Sequence, residues 1–370
     1  MRVAGLEELQ ARLQRDLRPW GASLEITRRC NLGCVHCLRG PSRQDDGLFY
    51  AQVCQVLDQL VDLGCMRLSF TGGEPFTRPD FVPILEYAWQ KRIASVILTN
   101  GTLITSTLAD TLLTLHVHEI QVSLYAASSQ VHETVTRVPG SFSATLGGIQ
   151  RLTNQGLRVK VMMPVLSLNI QEVSAVRKLC DQQGATFQRS LLLFPRDDGS
   201  PAPLDFVASD EQLCRLAEEE VRCDWSASDA TRGMEFSRNR PLCTAGIQQI
   251  GIGSDGSVYP CGALRLPAGN IRRQELARIW HTSPVLEELR RARPAYPIFC
   301  ASCQVREYCS WCPGLSLMLE GDMTVPNSQD CRRTRIFRGG VDCGGIWRQA
   351  PHRARQGQCY CDDEETIPEA

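Results

Sequence analysis

Three cysteines, Cys30, Cys34 and Cys37, lie within the eight-residue stretch CNLGCVHC. Thiolates at such short spacings can ligate metal from a single loop, and Gly33 allows that loop to turn tightly. Three thiolates are an incomplete set for a cubane cluster, which has four irons, so one iron would keep open positions for an outside molecule. Because the chain has 18 cysteines in 370 residues, such a spacing also arises by chance, and the context must decide its meaning.

A second cysteine group lies towards the C-terminus. Its order is Cys243, Gly256, Cys261, then CASCQVREYCSWC (300–312), and finally Cys331. Paired C-x2-C units are typical of zinc ribbons, and thiolates also hold iron–sulfur clusters. From the residues of this half alone, a structural zinc domain and an iron–sulfur domain both remain open.

Composition limits the class of protein. Lys and Arg number 40 against 41 Asp and Glu, a net charge of -1, which favours neither nucleic acid nor an anionic membrane as partner. No apolar run approaches the length of about 20 residues that a membrane span needs, and the charged start MRVAGLEELQARLQRDLRPW is not a signal peptide. We therefore predict a cytoplasmic protein, whose reduced cysteines serve as ligands, nucleophiles or buried thiols.

The scaffold that must position these cysteines can be predicted from periodicity. Six short apolar runs have the character of buried strands, and stretches of helical period separate them. This alternation predicts a parallel α/β sheet, either a partial (β/α) barrel or an open doubly wound sheet, and we favour a partial (β/α)6 barrel like that of a TIM barrel. The strand-like runs are ASLEIT (22–27), MRLSFTG (66–72), SVILTN (95–100), EIQVSLY (119–125), VKVMMPV (159–165) and QRSLLLF (188–194).

The chemically unusual loops follow the C-terminal ends of these strands. CNLGCVHC follows the first, TGGEP (71–75) ends the second, TNG (99–101) the third and SLYAASS (123–129) the fourth, and PRDDGS (195–200) follows the sixth. In (β/α) barrels this edge bears the active site. The loops are therefore expected to meet there.

Beyond about residue 235 the pattern changes. QQIGIGSDGSVYPCG (248–262) predicts a hairpin that turns at Asp255-Gly256, and a loop-rich, cysteine-rich segment follows it. We predict an N-terminal helical extension (1–19), an α/β core (20–234), a metal-stabilised domain (235–340) and a flexible, cysteine-containing tail (341–370).

The three N-terminal cysteines match the C-x3-C-x2-C signature of the radical S-adenosylmethionine (SAM) superfamily, which the chain resembles. The resemblance implies a [4Fe-4S] cluster held by Cys30, Cys34 and Cys37, with SAM chelating the fourth iron. Electron transfer would then cleave SAM to methionine and a 5′-deoxyadenosyl radical, which abstracts hydrogen from a substrate. It also implies an electron donor such as flavodoxin or ferredoxin.

Further residues are expected to bind SAM by the same resemblance. TGGEP resembles the family's glycine-rich motif that hydrogen-bonds the SAM amino group, and the segment after the fourth strand resembles its ribose and carboxylate region. His36 stands where the family usually has an aromatic residue and is expected to pack on adenine. The residues expected to contact SAM are Gly72, Gly73, Glu74, Asn100, Ser123, Arg137, Met163 and His36.

The C-terminal cysteines, together with the segment GNIRRQELARIW, resemble the SPASM extension of radical SAM peptide maturases, which holds two auxiliary iron–sulfur clusters. The resemblance implies that the distal cluster is ligated by Cys300, Cys303, Cys309 and Cys331, and the proximal one by Cys243, Cys261 and Cys312. Two departures stand out: the final spacing is C-x2-C instead of C-x3-C, and only three proximal ligands are found. The proximal cluster would have an open iron or take a fourth ligand from Cys343, Cys359 or Cys361.

The resemblance predicts a radical SAM enzyme that modifies a ribosomally made peptide by crosslinking or another oxidative change, with a separate leader-peptide-binding protein as an expected partner. A sulfatase-maturase-like or pyrroloquinoline-quinone-type cofactor maturation enzyme is the second hypothesis, and the expected substrate is a peptide or a small molecule. A zinc-binding structural or regulatory protein is an alternative of another class. The PRDDG loop supplies candidate catalytic residues, Arg196, Asp197 and Asp198, for which a solvated turn is an equal alternative.

Overall fold

The computed structural model describes residues 16–40, 47–222, 243–292, 300, 303 and 305–338. The predicted alternation of strands and helices is confirmed. Six strands lie side by side in chain order and run parallel, as in a partial (β/α)6 barrel. They are β1 (Gly21–Thr27), β2 (Arg67–Gly72), β3 (Ala94–Thr99), β4 (Glu119–Ser123), β5 (Val159–Pro164) and β6 (Thr186–Ser190).

Helices connect these strands and bury one face each. In the first of them Val53, Val56, Leu57 and Leu60 are buried, a spacing of three and four residues that places them on one side of the helix. Leu24, Leu68 and Phe70 of the strands are fully buried in the same core. The helices are α1 (Tyr50–Asp62), α2 (Phe81–Gln90), α3 (Ser106–Thr114), α4 (Ser129–Thr136), α5 (Ser141–Asn154) and α6 (Val173–Gln182).

The sixth strand begins and ends earlier than predicted. The apolar run 191–194, which suggested a strand up to residue 194, lies outside β6. Leu193 is nevertheless buried, in a cluster with Val35, Tyr125 and Leu166. Leu193 is therefore apolar because it packs beneath the cysteine loop, and not because it belongs to a strand.

The predicted hairpin is present. Strands β7 (Gln249–Ile252) and β8 (Ser257–Tyr259) are antiparallel, and β9 (Gly269–Asn270) pairs with β8. In addition, β7 pairs in parallel with β1, so that the sheet order is β6-β5-β4-β3-β2-β1-β7-β8-β9. The buried β7 residues Ile250 and Ile252 thus extend the core sheet.

The described residues form two compact units. The first contains the described residues of 16–208 and of 244–292, including α8 (Leu276–Thr282) and α9 (Pro284–Ala292) after the hairpin. The second contains the described residues of 209–243 and of 293–338, and in it α7 (Asp210–Arg222) packs against α11 (Ser328–Arg338), with α10 (Pro313–Glu320) preceding α11.

The boundaries of these units differ from the domain boundary predicted between residues 234 and 235. The difference arises because β7 pairs with β1 and because Asp210 on α7 accepts a hydrogen bond from Arg332 Nε at 2.6 Å. The predicted N-terminal extension lies mostly, and the tail wholly, outside the described residues. Within the described part of the chain, no helix has the length and apolarity to cross a bilayer.

Candidate functional site

The cysteine loop begins three residues after β1 and is held by the C-terminal end of α4. The Gly33 amide donates to the Thr136 carbonyl at 3.0 Å, and the Val35 amide donates to the Val135 carbonyl at 3.0 Å. Inside the loop, the Cys37 amide donates to the Cys34 carbonyl at 3.2 Å. These bonds fix the loop backbone at the C-terminal edge of the sheet.

All three loop cysteines are free thiols and half-buried. The Leu32 amide lies 3.5 Å from Cys30 Sγ, and Tyr125 Oη lies 3.7 Å from Cys34 Sγ. Burial raises the pKa of Cys34 to about 12 and also raises the pKa of Cys30. Because a metal must deprotonate its thiol ligands, binding of a cationic cluster here would release protons.

The glycine motif at the end of β2 lies against the start of the cysteine loop. The Gly73 amide donates to the Thr27 carbonyl at 2.8 Å, and the Glu74 amide donates to the Arg29 carbonyl at 2.7 Å. A Cβ on Gly72 would lie 2.1 Å from the Thr27 oxygen, and a Cβ on Gly73 would lie 2.1 Å from the Arg29 oxygen. Only glycine permits this approach, which places the two loops side by side.

We expect Gly73→Ala to displace the cysteine loop, because its methyl group would overlap the Arg29 backbone. The expected cost is on the order of 3 kcal/mol in unfolding free energy, with loss of iron from the N-terminal site. Gly147→Ala in α5 is the matched control, since its Cβ meets only the flexible Arg151 guanidinium. Chemical denaturation and iron analysis measure both effects, and an unchanged iron content in Gly73→Ala would contradict this role.

Glu74 is fully buried, and its carboxylate is already occupied. Oε1 accepts from Thr99 Oγ1 at 2.7 Å and from the Phe76 amide at 3.2 Å, and Oε2 accepts from the Asn100 amide at 2.7 Å. Burial raises the pKa of Glu74 to about 7. The side chain therefore joins the end of β2 to the end of β3, and its contact with the SAM amino group stays a prediction.

Asn100 joins the end of β3 to the cysteine loop. Its Nδ2 donates to Asn31 Oδ1 at 2.8 Å, and its Oδ1 accepts from the Thr102 amide at 2.9 Å. The expected SAM contacts Glu74 and Asn100 thus lie beside the cysteine loop and, through these bonds, position it.

The remaining expected SAM contacts fall into two groups. Half-buried Ser123 ends β4, and exposed Arg137 ends α4 in a left-handed conformation with φ 60°, its Cβ within van der Waals distance of a Cβ built on Gly33. Met163, by contrast, is fully buried on the same face of β5 as Val161. The half-buried neighbour Met162 is in register with Ser123, so Met162 and not Met163 shares its face.

His36 packs edge-on against Tyr125, with ring centroids 5.0 Å apart. Burial lowers the pKa of His36 to about 4, so its imidazole is neutral at physiological pH. Its Nδ1 is buried with no hydrogen-bond partner among the described residues. A neutral ring with an unused polar atom beside the three thiols is suited to contact a bound cofactor.

The loop after β6 contacts the end of the cysteine loop. The Asp197 amide donates to the Leu38 carbonyl at 2.9 Å, and Arg39 donates to Asp197 Oδ2 at 2.7 Å. Arg196 approaches Gly40, and its Nε is buried without a partner in the described part of the chain. Asp198 only accepts from the Ser200 amide at 2.9 Å.

Arg39 and Asp197 belong to a larger charged network that the sequence did not predict. The carboxylate of Glu25, on β1, binds the guanidinium groups of Arg39 and Arg265. Arg265 Nε also lies 3.5 Å from Asp197 Oδ1, and its guanidinium stacks over the Tyr259 ring. All four charged side chains are largely buried, so they hold the cysteine loop, the β6 loop and the segment after β8 together.

In the second unit, four cysteines line one cavity. They are the four predicted distal ligands, Cys300, Cys303, Cys309 and Cys331. Trp311 and Asp330 line the same cavity. No three His, Cys, Asp or Glu side chains within the described residues are spaced for a single metal ion.

The three predicted proximal ligands are all half-buried. The Leu264 amide donates to Cys261 Sγ at 3.2 Å, and Cys312 precedes α10 as its N-cap. Their shared ligation stays a prediction. Cys343, Cys359 and Cys361 lie outside the described residues.

Four further cysteines of the described residues are not among the expected cluster ligands. Cys54, Cys65 and Cys180 are buried, whereas Cys214 on α7 is only half-buried. Every predicted cluster ligand, in contrast, is partly accessible. Burial therefore distinguishes Cys54, Cys65 and Cys180 from the candidate ligands, but it does not distinguish Cys214.

Two family models match the chain. Residues 24–180 match the radical SAM superfamily, and residues 243–304 match SPASM, an iron–sulfur cluster-binding domain. Among solved structures, Streptococcus suis SuiB bound to its precursor peptide SuiA has a TM-score of 0.67 and 18% identity, covering 88% of this chain and 80% of that one. At this identity the likeness concerns the fold.

Three relatives are similar in sequence. The AdoMet-dependent heme synthase of Methanosarcina barkeri is 29% identical over 323 residues, covering 80% of this chain and 92% of that protein. The mycofactocin maturase MftC of Mycobacterium tuberculosis is 28% identical over 305 residues, covering 77% and 75%. The antilisterial bacteriocin subtilosin biosynthesis protein AlbA of Bacillus subtilis is 30% identical over 304 residues, covering 80% and 67%.

Proposed function

Since the chain belongs to the radical SAM superfamily and contains an iron–sulfur cluster-binding SPASM domain, we propose that it modifies a ribosomally made peptide by hydrogen abstraction from an unactivated carbon. The observation that carries the proposal is the presence in one chain of a three-thiol loop at the sheet edge and a separate four-thiol cavity. A relative named as a mycofactocin maturase, MftC, and one named for bacteriocin biosynthesis, AlbA, support the choice of substrate.

The N-terminal site fits a cluster that three protein ligands hold. Cys30, Cys34 and Cys37 would hold it, and the Leu32 amide already points at a cysteine sulfur, as amides do around iron–sulfur clusters. When bound, the cluster supplies one electron to SAM and so starts hydrogen abstraction. The chain's own part is to fix the three thiols through the bonds from α4 and from the glycine motif.

Other residues would orient SAM. The backbone around Gly72 and Gly73 is bare of side chains and lies beside the thiol loop, so it admits the amino group closely. Ser123 and Arg137 offer a hydroxyl and a guanidinium for the ribose and carboxylate, and neutral His36 offers a ring face for adenine. Met163 was the expected contact on β5, and we propose Met162 as a second candidate, because it is half-buried and in register with Ser123.

A polar sheet face would receive the substrate. Ser69, Thr71 and Gln121 are half-buried, and alternation places the first two on the same face of β2. Near the N-terminal edge of the sheet, Glu119 binds Lys160 at 3.0 Å and lies 3.6 Å from Arg67. Hydroxyl and amide groups of this kind pair well with the amides of a peptide backbone.

Cys300, Cys303, Cys309 and Cys331 of the second unit would hold one auxiliary cluster. By the resemblance, Cys243, Cys261 and Cys312 are the proposed ligands of another. We also infer a cytoplasmic setting, an electron donor such as flavodoxin or ferredoxin, and a separate leader-peptide-binding protein. The two partners follow from the proposed chemistry, and the setting follows from the reduced state that thiolate ligands require.

A second candidate is the maturation of a small-molecule cofactor. The heme synthase of Methanosarcina barkeri favours it, because the match extends over 92% of that protein. The substrate would then be a tetrapyrrole and not a peptide.

One experiment separates these candidates. The anaerobically reconstituted protein is mixed with SAM and dithionite, then with either small peptides encoded near its gene or a tetrapyrrole. The proposal expects about four irons per cluster, formation of 5′-deoxyadenosine, and a mass change in a peptide. Conversion of the tetrapyrrole alone would favour the second candidate, and a protein with stoichiometric zinc and no iron would exclude both.

Asp197 is expected to position the cysteine loop instead of transferring a proton. Asp197→Asn should cost about 1–3 kcal/mol in unfolding free energy, because it loses a charge-assisted bond to Arg39. The pH profile of turnover should stay unchanged. Asp198→Asn is the matched control, since Asp198 contacts only its own turn. A shifted pH profile in Asp197→Asn, with stability unchanged, would identify a catalytic carboxylate instead.

A further inference from the structure

Asp330 is a fully buried carboxylate in the second unit, directly before Cys331 on α11. Its Oδ2 accepts from the Cys312 amide at 2.8 Å and from Asn327 Nδ2 at 2.7 Å. Its Oδ1 accepts from Arg333 at 2.6 Å. A buried carboxylate with bonds to both oxygens has its position fixed by its surroundings.

A polar network supports this position. Asn327 Oδ1 accepts from the Asp330 amide at 2.9 Å, and Asn327 Nδ2 also donates to Ser316 Oγ at 3.1 Å. Trp311, which lines the four-cysteine cavity, donates to the same Ser316 oxygen at 2.7 Å. The network therefore extends from the cavity wall to the residue beside Cys331.

Thr334, one turn after Asp330, completes the arrangement. Its hydroxyl donates to the Asp330 carbonyl at 2.8 Å and also hydrogen-bonds the Cys309 thiol. Asp330 and its immediate partners thus contact the backbone of Cys312 and the side chain of Cys309, and Asp330 is covalently joined to Cys331. These cysteines come from both predicted auxiliary ligand sets.

We propose that Asp330 is a positioning residue for the auxiliary iron–sulfur clusters. This role rests on the proposed function. Its carboxylate holds the Cys312 backbone and orients the start of α11 so that the Cys331 thiol faces the cavity. Its negative charge also lowers the reduction potential of the neighbouring cluster, since added negative charge beside a cluster disfavours the reduced form. Arg333 offsets part of that charge and is partly exposed.

Two variants separate position from charge. Asp330→Asn keeps the shape and can keep an oxygen towards the Cys312 amide, but it removes the charge. Asp330→Ala removes both and leaves buried donors unpaired. Asp322→Asn is the control, because Asp322 is exposed in the same unit and contacts only Thr324. The readouts are iron content, circular dichroism and the midpoint potentials of the auxiliary clusters by electron paramagnetic resonance.

The proposal expects Asp330→Ala to lose about four irons or more per chain, whereas Asp330→Asn keeps its iron. In Asp330→Asn the midpoint potential of an auxiliary cluster should shift to a more positive value, and in the control Asp322→Asn it should not. Full iron content in folded Asp330→Ala, or unshifted potentials in Asp330→Asn, would overturn it. If Asp330→Ala fails to fold, the potentials of Asp330→Asn decide. A wild-type protein that binds no iron would refute the proposed function, whereas an iron-loaded wild type with indifferent variants would refute only this role.

Discussion

Replacement of Cys34 by alanine is expected to reduce SAM cleavage by more than about a hundredfold and to remove about four irons per chain. Cys34 lies at the centre of the loop, between the thiols of Cys30 and Cys37, and is the thiol nearest Tyr125. Its removal leaves two thiols, which are too few to hold a four-iron cluster. The auxiliary sites share none of these cysteines and should keep their iron.

Cys180→Ala is the matched control for Cys34→Ala. Cys180 is buried on α6, where burial raises the pKa of its thiol to about 12. The variant makes the same change of cysteine to alanine at a position far from the loop in sequence. It should cost about 1 kcal/mol of stability and no iron. Anaerobic iron analysis and quantification of 5′-deoxyadenosine measure both variants. If Cys34→Ala still cleaved SAM at the wild-type rate, the N-terminal loop would not be the SAM-cleaving site.

The positions of the chemical loops could be predicted because each follows a strand. Parallel strands end at one edge of a sheet, so periodicity alone was enough to predict that Cys30, Gly73 and Asn100 lie at that edge. What a side chain does there depends on contacts that periodicity does not determine. Glu74 and Asn100 were expected to contact SAM, and the structure shows both bonded to neighbouring strand ends and the cysteine loop.

The choice of Met163 shows a second limit. VKVMMPV has apolar residues on both faces of the strand, so the sequence offers no pattern that distinguishes Met162 from Met163. The register with Ser123 resolves the face. Similarly, the apolar run after Gln188 indicates burial correctly, but it cannot tell a strand from a packed loop.

The network around Glu25 could not be predicted as a network. Its members Arg39, Asp197 and Arg265 are far apart in sequence, and only the fold brings them together. One signal was nevertheless present: Glu25 interrupts the apolar strand SLEIT, and a charged side chain on a buried strand requires a partner. Periodicity also could not predict that β7 pairs with β1 and so brings Arg265 to Glu25, because a short strand does not specify its neighbour.

Replacement of Glu74 by alanine is expected to lower the free energy of unfolding by about 3–6 kcal/mol. Two buried donors, from Thr99 and Asn100, and the partly buried Phe76 amide would lose their acceptor, at about 1–3 kcal/mol each with partial relaxation. The adjoining cysteine loop should then bind less iron, since the Glu74 amide also anchors the Arg29 carbonyl. Chemical denaturation with iron analysis tests both results.

Glu133→Gln is the matched control for Glu74→Gln. Glu133 also accepts bonds from backbone amides, those of Gly140 and Phe142, but it is partly exposed and water can replace the lost acceptor. Glu133→Gln should lower the free energy of unfolding by less than about 1 kcal/mol. Glu74→Gln places an amide donor against a buried donor, so it should lower that free energy by about 1–3 kcal/mol. Equal costs for the two variants would mean that Glu74 does not join the strand ends as its contacts indicate.

The buried carboxyl also has a pH signature. Burial raises the pKa of Glu74 from 4.5 to about 7 in the folded state, so the folded chain binds the proton more tightly than the unfolded chain. Its contribution to stability is therefore full below about pH 4.5 and is lost as pH rises to about 7, a change on the order of 3 kcal/mol. Subtracting the stability–pH curve of Glu74→Gln from that of the wild type isolates this change, because the other titrating groups are common to both. A flat difference between pH 4.5 and 7 would show that Glu74 stays ionised in the folded protein and that its three donors outweigh the cost of burial.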